Sequence, residues 1–361
     1  MSTRVVLIAN NIDELGGAQR VVQVLAGGLS GRGFEVTVVG IEPQGGRSAH
    51  AADAYRVERL LDAPYPKEPG AQLDAQRAAA VGRLQSILDE AEPGIIITAQ
   101  VWAMEHVAQC QVDGWRIIGQ FHSSFEAAEF GNDLDRIRRA YREVDQFLAL
   151  TAADAAHFTE AGLNNASWMP NPLAAWPEAA ADPSARTITY LGRLSAEKAP
   201  MTLMRAWRII VEQGRLADWR LQLIGSGPHD VQIVAAMQDL PRVQLLEPVA
   251  DPYAVLADTG ILAVPSLVEG LPLVLMEALA MGVPAVASDC SAGVRELVDD
   301  GRCGVLVNRG DAADLARGLC LLAEDEGLRR TMGRHGRVHL EQYRLERVLD
   351  QWVRLIADVQ R

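Results

Sequence analysis

Along nearly the whole chain, short apolar runs alternate with longer stretches in which apolar residues recur every three to four positions, the pattern of buried strands followed by amphipathic helices. In the first half the runs are RVVLIAN, EVTVVGI, GIIITAQ, RIIGQF, QFLALT and ASWMP, with AQRVVQVLAGGL and AAAVGRLQSILDEA among the helical stretches between them. Residues 44–76, which contain PYPKEPG, carry neither period. After the Pro- and Ala-rich MPNPLAAWPEAAADPSART the alternation restarts with TITYLGR, RLQLIGSG, VQLLEP, ILAVPS, PAVASD and GVLVN. Strands each followed by a helix predict parallel sheets covered on both faces. The chain therefore reads as α/β, with two Rossmann-like domains in series, residues 1–172 and 173–340, hinged near Pro172 to Ser184. A last segment, 341–361, ends in LERVLDQWVRLIADVQR, an amphipathic helix with Leu345, Val348, Leu349, Val353, Leu355 and Ile356 near one face.

Composition changes this picture mainly by exclusion. A length of 361 residues suits two cores better than one. The opening MSTRVVLIANN offers a five-residue apolar run, too short for a secretory leader or a membrane span. The expected location is the cytoplasm, with the inner face of the membrane as a second address. A formal net charge of −13 argues against a general binder of nucleic acid, whose phosphates select basic faces. Cys110, Cys290, Cys303 and Cys320 show no pair spacing, so they read as small buried hydrophobes and not as a zinc or disulfide framework.

In parallel sheets ligands bind beyond the carboxyl ends of the strands, and those ends carry the candidate chemistry. RVVLIAN leads to Gly16 and Gly17 just ahead of a helix, where backbone N–H groups can approach an anion; a tight turn would look the same. TITYLGR leads to Arg193 and Lys198, two cations suited to a diphosphate. Lys67 and Lys198 are the only lysines among 34 basic residues, which makes the second one conspicuous. ILAVPS leads to Glu269, then Gly270, Leu271 and Pro272, the last expected in the first turn of the helix PLVLMEALAMG. That helix is apolar all round, yet holds Glu277, an expensive burial unless strong donors such as a pair of ribose hydroxyls meet it. A buried salt bridge would also serve.

GGAQR, GRLSAEK, LIGSGP and PSLVEGLPLVLMEALAMGVPAVASD, in this order and at these spacings, resemble the family-4 retaining glycosyltransferases with the two-domain GT-B fold. The resemblance covers the whole chain, is strong from Thr187 to Gly304 and looser between Glu42 and Asp74. It implies two Rossmann-like domains facing across a cleft, an N-terminal acceptor domain, a C-terminal donor domain and a terminal helix that crosses back to the first. By the same resemblance Gly17 meets the donor phosphate, Arg193 and Lys198 hold the diphosphate, Glu269 holds the transferred sugar and Glu277 the ribose. His122, in IIGQFHSS, matches the histidine that lies against the donor sugar, and Gly16, Gly225, Gly270, Leu271 and Pro272 complete the donor contacts. A weaker likeness of motif style points to UDP-hexose or UDP-N-acetylhexosamine and to cell-surface polymers, teichoic-acid-type polyol phosphates included. The chain departs from many members at Ala199, where they have glycine after the lysine, which puts the shape of that loop in question.

The expected activity is hexosyl transfer, EC 2.4, from a nucleotide sugar to an acceptor hydroxyl on a carbohydrate, polyol phosphate or small molecule, with front-face retention and no cofactor. No metal site is expected, since Asp133 and Asp135 in NDLDRIRR read as helix-start acids. The basic run Arg136, Arg138, Arg139 and Arg142 reads as a solvated face, or as a place that attracts an anionic acceptor or a lipid surface. The alternatives are a nucleotide-sugar epimerase of the same fold and a non-catalytic partner subunit of a transferase.

Overall fold

In β1 (Arg4–Ala9), Val6 and Ile8 join one hydrophobic core while Val5, Leu7 and Ala9 join another, the two-residue period of a strand buried on both sides. Ile96 parts from Ile95 and Ile97 in the same way. The computed structural model describes residues 3–13, 16–43, 54–90, 92–131 and 133–361. The chain divides into two compact units, one of residues 1–174 with 345–361, the other of residues 175–344.

The first unit runs β1, α1 (Gly17–Gly31), β2 (Glu35–Gly40), β3 (Arg56–Arg59), α2 (Ala71–Asp89), β4 (Ile95–Thr98), α3 (Val101–Val107), β5 (Arg116–Gln120), α4 (Phe125–Phe130), α5 (Leu134–Tyr141), β6 (Gln146–Ala149), α6 (Ala152–Glu160) and β7 (Ala166–Trp168). Its strands form one parallel sheet in the order β3-β2-β1-β4-β5-β6-β7. The apolar runs read as strands all pair in it. The addition is β3, the sequence RVER, which the apolar pattern misses because it is an edge strand with no fully buried residue.

The second unit runs β8 (Thr187–Leu191), α7 (Pro200–Glu212), β9 (Arg220–Ile224), α8 (Asp230–Met237), β10 (Val243–Leu246), α9 (Pro252–Leu256), β11 (Ile261–Val264), α10 (Leu273–Ala280), β12 (Ala285–Ser288), α11 (Ala292–Val298), β13 (Gly304–Val307), α12 (Ala312–Glu324) and α13 (Glu326–His339). Its sheet, also parallel, has the order β10-β9-β8-β11-β12-β13. Both sheets are therefore doubly wound, and each reverses its strand order once, between β1 and β4 in the first and between β8 and β11 in the second. Those reversals leave a crevice at the strand ends where no loop crosses.

The last helix, α14 (Leu345–Val359), packs on the first unit. Val348, Leu349, Trp352 and Ile356 enter the core formed by α1 and one face of the sheet, and Leu345, Val353 and Leu355 pack at its edge. At Gly28 the two helices come so close that a Cβ would lie 2.6 Å from Leu349 Cδ1.

Candidate functional site

In the second unit the two strands at the reversal each deliver a charged group. The loop after β8 carries Lys198 and the loop after β11 carries Glu269. Lys198 Nζ donates to Glu269 Oε1 at 2.8 Å and to Oε2 at 2.7 Å, and Ser266 Oγ donates to Oε1 at 2.7 Å. The Glu269 side chain is 6% exposed and that of Lys198 30%. An ammonium has three N–H donors, of which the carboxylate takes two; the third is available on the side that reaches solvent. The backbone joins the same loops, since Leu267 N donates to Glu197 O at 2.7 Å.

Around this pair the local sequence explains the geometry. Ala199, next to the lysine, has φ +46° and ψ +46°, the left-handed conformation that glycine takes freely and alanine at a cost of about 1–2 kcal/mol. The substitution of alanine at this position thus keeps a glycine-type turn just ahead of α7. Gly225, at the end of β9, has φ +149°, and a Cβ there would fall 1.9 Å from Gly192 O. Its bare backbone is required by the close passage of the β8 and β9 ends, whatever else it contacts. Buried Tyr190 donates from its hydroxyl to Arg193 O at 2.6 Å and so fixes the backbone of that loop. The Arg193 side chain is exposed and forms no ion pair among the described residues.

Pro272 stands one residue before α10, as its N-cap with extended backbone, and not within the first turn as the sequence suggested. Gly270 O accepts Ser291 Oγ at 3.2 Å, and α11 approaches so closely that a Cβ on Gly293 would meet that carbonyl at 2.1 Å. Leu271 and Pro272 are buried, and residues Leu275–Ala280 of α10 are all buried, Glu277 included at 4% exposure. Cys290 is buried beside Glu269, and burial together with that carboxylate pushes its thiol up to about 12. All four cysteines are free, three of them buried.

In the first unit Gly16 is the N-cap of α1, extended and without a side-chain cap, and Gly17 is the first helical residue. Ile12 and Asp13, beyond β1, are anchored from β3 and α1. Arg59 donates to both carboxylate oxygens of buried Asp13, at 2.6 and 3.1 Å, and Gln23 Nε2 donates to Ile12 O at 3.1 Å. His122 follows β5; its Nδ1 lies 3.2 Å from Asn171 Oδ1, and its Nε2 is buried without a hydrogen-bond partner among the described residues. Burial of the ring pushes its pKa down to about 4, against the raising effect of the Asn171 hydrogen bond. The imidazole is neutral at neutral pH.

The sequence reading did not include Ser266, Tyr190, Asp13, Arg59 or Asn171.

Asp133, the N-cap of α5, makes no side-chain cap; it lies 3.7 Å from Arg136, and Asp135 lies 3.3 Å from Arg138. Among the described residues no group of three or more His, Cys, Asp or Glu is placed to hold a metal ion. Arg136 turns inward, bidentate to Glu105 at 2.6 and 2.8 Å and over the Trp102 ring. Arg138, Arg139 and Arg142 line a cavity of about 510 Å³ with Asp135 and Gly162. A second cavity of about 450 Å³ lies at the amino ends of the first strands, beside Arg4, Glu35 and Arg56, away from every strand-end group described above. No helix among the described residues is long and apolar enough to cross a membrane.

Residues 15–173 match the family described as Glycosyltransferase Family 4, and residues 185–325 match Glycosyl transferases group 1. A protein of Haemophilus influenzae named as an uncharacterized glycosyltransferase is 26% identical over 352 residues, 95% of this chain and 96% of that one. An α-1,4-N-acetyl-D-galactosaminyltransferase of Campylobacter jejuni, named for an undecaprenol-linked acceptor, is 26% identical over 173 residues, 48% of each chain. Among solved structures, a mutant of S. aureus TarM in complex with fondaparinux, alpha-GlcNAc-glycerol and UDP gives a TM-score of 0.83 at 12% identity, over 98% of this chain and 99% of that one. At that identity the likeness is one of fold.

Proposed function

Since the chain belongs to the family-4 glycosyltransferases with the GT-B fold, we propose that it transfers a hexose or N-acetylhexosamine from a nucleotide sugar, UDP-linked, to an acceptor hydroxyl with retention at the anomeric carbon. The observation that carries this reading is the Lys198–Glu269 pair at the strand reversal, a half-exposed cation with one N–H to spare, anchored by a buried carboxylate. The spare donor and exposed Arg193 suit the diphosphate, while Glu269 keeps lone-pair capacity for a sugar hydroxyl and Glu277 serves the ribose. In the first unit the Gly16 and Gly17 amides at the start of α1 suit a phosphate, and His122 suits a sugar hydroxyl.

In the transfer, the bond from the anomeric carbon to the diphosphate oxygen breaks and a bond to the acceptor oxygen forms on the same face. The leaving phosphate takes the acceptor's proton. Negative charge grows on that phosphate as the bond breaks, and Arg193 and Lys198 stabilise it more in the transition state than in the ground state. This is the role a divalent ion has in other transferases, so no metal is required. The UDP-containing TarM complex and the N-acetylgalactosaminyltransferase relative support the donor class, and the undecaprenol-linked acceptor of the latter supports a cell-surface polymer. Arg138, Arg139 and Arg142 are the surface at which an anionic bilayer would be met.

The test is UDP release from a panel of UDP-sugars with carbohydrate and polyol-phosphate acceptors, in excess EDTA, with the anomeric configuration of the product read by NMR. Inversion, or loss of activity to the chelator with rescue by manganese, would refute the mechanism.

A further inference from the structure

His122 and Asn171 are 49 residues apart and come from the ends of β5 and β7, which are not neighbours in the sheet. The chain beyond β7 is steered across the end of β6 to reach β5: Met169 N donates to Ala149 O at 2.9 Å, and Met169 O accepts Gln120 Nε2 at 3.4 Å. Phe121 N donates to Leu148 O at 2.9 Å, which holds the backbone just before the histidine. Asn171 is itself buried, 5% exposed. Two segments are thus fixed independently, and the amide oxygen of one is set against Nδ1 of the other.

We propose that Asn171 is a positioning residue that holds His122 as its Nδ1–H tautomer, so that Nε2 acts as a hydrogen-bond acceptor and selects donor sugars that present an O–H or N–H to it. An amide oxygen has no proton to give, so Nδ1 must supply the one between them, and Nε2 is left with a lone pair. That atom is buried and has no partner among the described residues, a state that a ligand's O–H or N–H would relieve. The ring is neutral at neutral pH, with its pKa near 4, so it offers no cation to a carboxylate. A uronic acid would set acceptor against acceptor at this point, whereas a neutral hexose or N-acetylhexosamine would pair. Discrimination of that kind is strong, because the mismatch leaves a buried polar atom unpaired.

This rests on the nucleotide-sugar reading above, and the experiment separates the two. Ring nitrogens of ¹⁵N-labelled full-length protein at neutral pH should show protonated Nδ1 and bare Nε2 at His122, and Asn171→Ala should move the proton to Nε2. Asn171→Asp retains an acceptor oxygen and should retain the tautomer, while making the ring titrate nearer neutrality. In steady-state assays UDP-glucose or UDP-N-acetylglucosamine should be preferred to UDP-glucuronate by 100-fold or more in kcat/KM, and Asn171→Ala should reduce that preference about tenfold with the acceptor KM unchanged. An Nε2–H tautomer in the wild-type protein, a tautomer indifferent to Asn171→Ala, or equal use of UDP-glucuronate would overturn the proposal. The Nδ1–H tautomer lost in Asn171→Ala supports Asn171 as its holder even if no UDP-sugar is turned over, a result that would count against the donor class instead.

Discussion

Lys198 and Glu269 are 71 residues apart in sequence and share two hydrogen bonds, so neither can be altered without consequence for the other. Lys198→Ala removes the cation that, among the described residues, pairs with Glu269, a carboxylate 6% exposed. It should lower the stability of the second unit by about 2 kcal/mol, less than a fully buried pair because the lysine reaches solvent, and cut transfer about 100-fold. Glu269→Gln added to that variant should restore most of the melting temperature and none of the activity; a Lys198→Ala protein that melts like wild type would show the pair to be structurally idle. His122 supplies a pH dependence of known sign. Its folded pKa near 4 lies below the unfolded value of about 6.5, so the unfolded chain binds more protons between them and stability is lost as pH falls through that window. The melting temperature of wild type relative to His122→Phe should therefore be higher at pH 7 than at pH 4.5, and an equal difference at both would contradict the depressed pKa. Both residues could be singled out in the sequence, one by its rarity and one by its place after a strand. The groups that hold them, Ser266 on the Glu269 partner of Lys198 and Asn171 on His122, could not, because a serine or asparagine in a loop carries no signal until folding sets it beside its partner.

Among the elements, those with a continuous apolar run were legible and those without one were not. β1, β4 and β11 are buried along nearly their whole length and announce themselves. β3 is four half-exposed or exposed residues, two of them arginine, and yet it supplies the Arg59 that clamps Asp13. The helix α2 begins at Ala71, well before the alanine-rich stretch that suggests it, because its first turns are exposed and polar. In α5 the sequence shows a uniform basic run, but the fold divides it, with Arg136 spent on Glu105 and Trp102 and the other three around a cavity. Arg136→Ala should consequently cost about 1–2 kcal/mol of stability through lost packing and pairing. Arg138→Glu with Arg142→Glu should leave the melting temperature nearly unchanged and abolish flotation with phosphatidylglycerol vesicles at low salt. Flotation that survives the double reversal would remove α5 from any role at a bilayer.

For the molecule as a whole, the division of the chain matters more than either sheet. The amphipathic pattern of the last segment was readable, although Trp352, the largest side chain it buries, lay outside the face inferred from aliphatic spacing. Deleting residues 345–361 removes Val348, Leu349, Trp352 and Ile356 from the first unit's core. At about 1.5–3 kcal/mol for each large buried side chain, this matches the whole stability of a typical domain. Calorimetry of the truncated chain should lose the first unit's transition and keep the second's, and two intact transitions would mean that α14 is only docked. The first unit's core is thus completed by residues 345–361, after the 170 residues of 175–344 have been made. On a ribosome adding about 5–20 residues per second, that interval is on the order of ten seconds or more. Throughout it Val22, Leu25 and their neighbours lack the helix that covers them, so the nascent protein carries an open apolar flank that chaperones must shield until residues 345–359 emerge and close it.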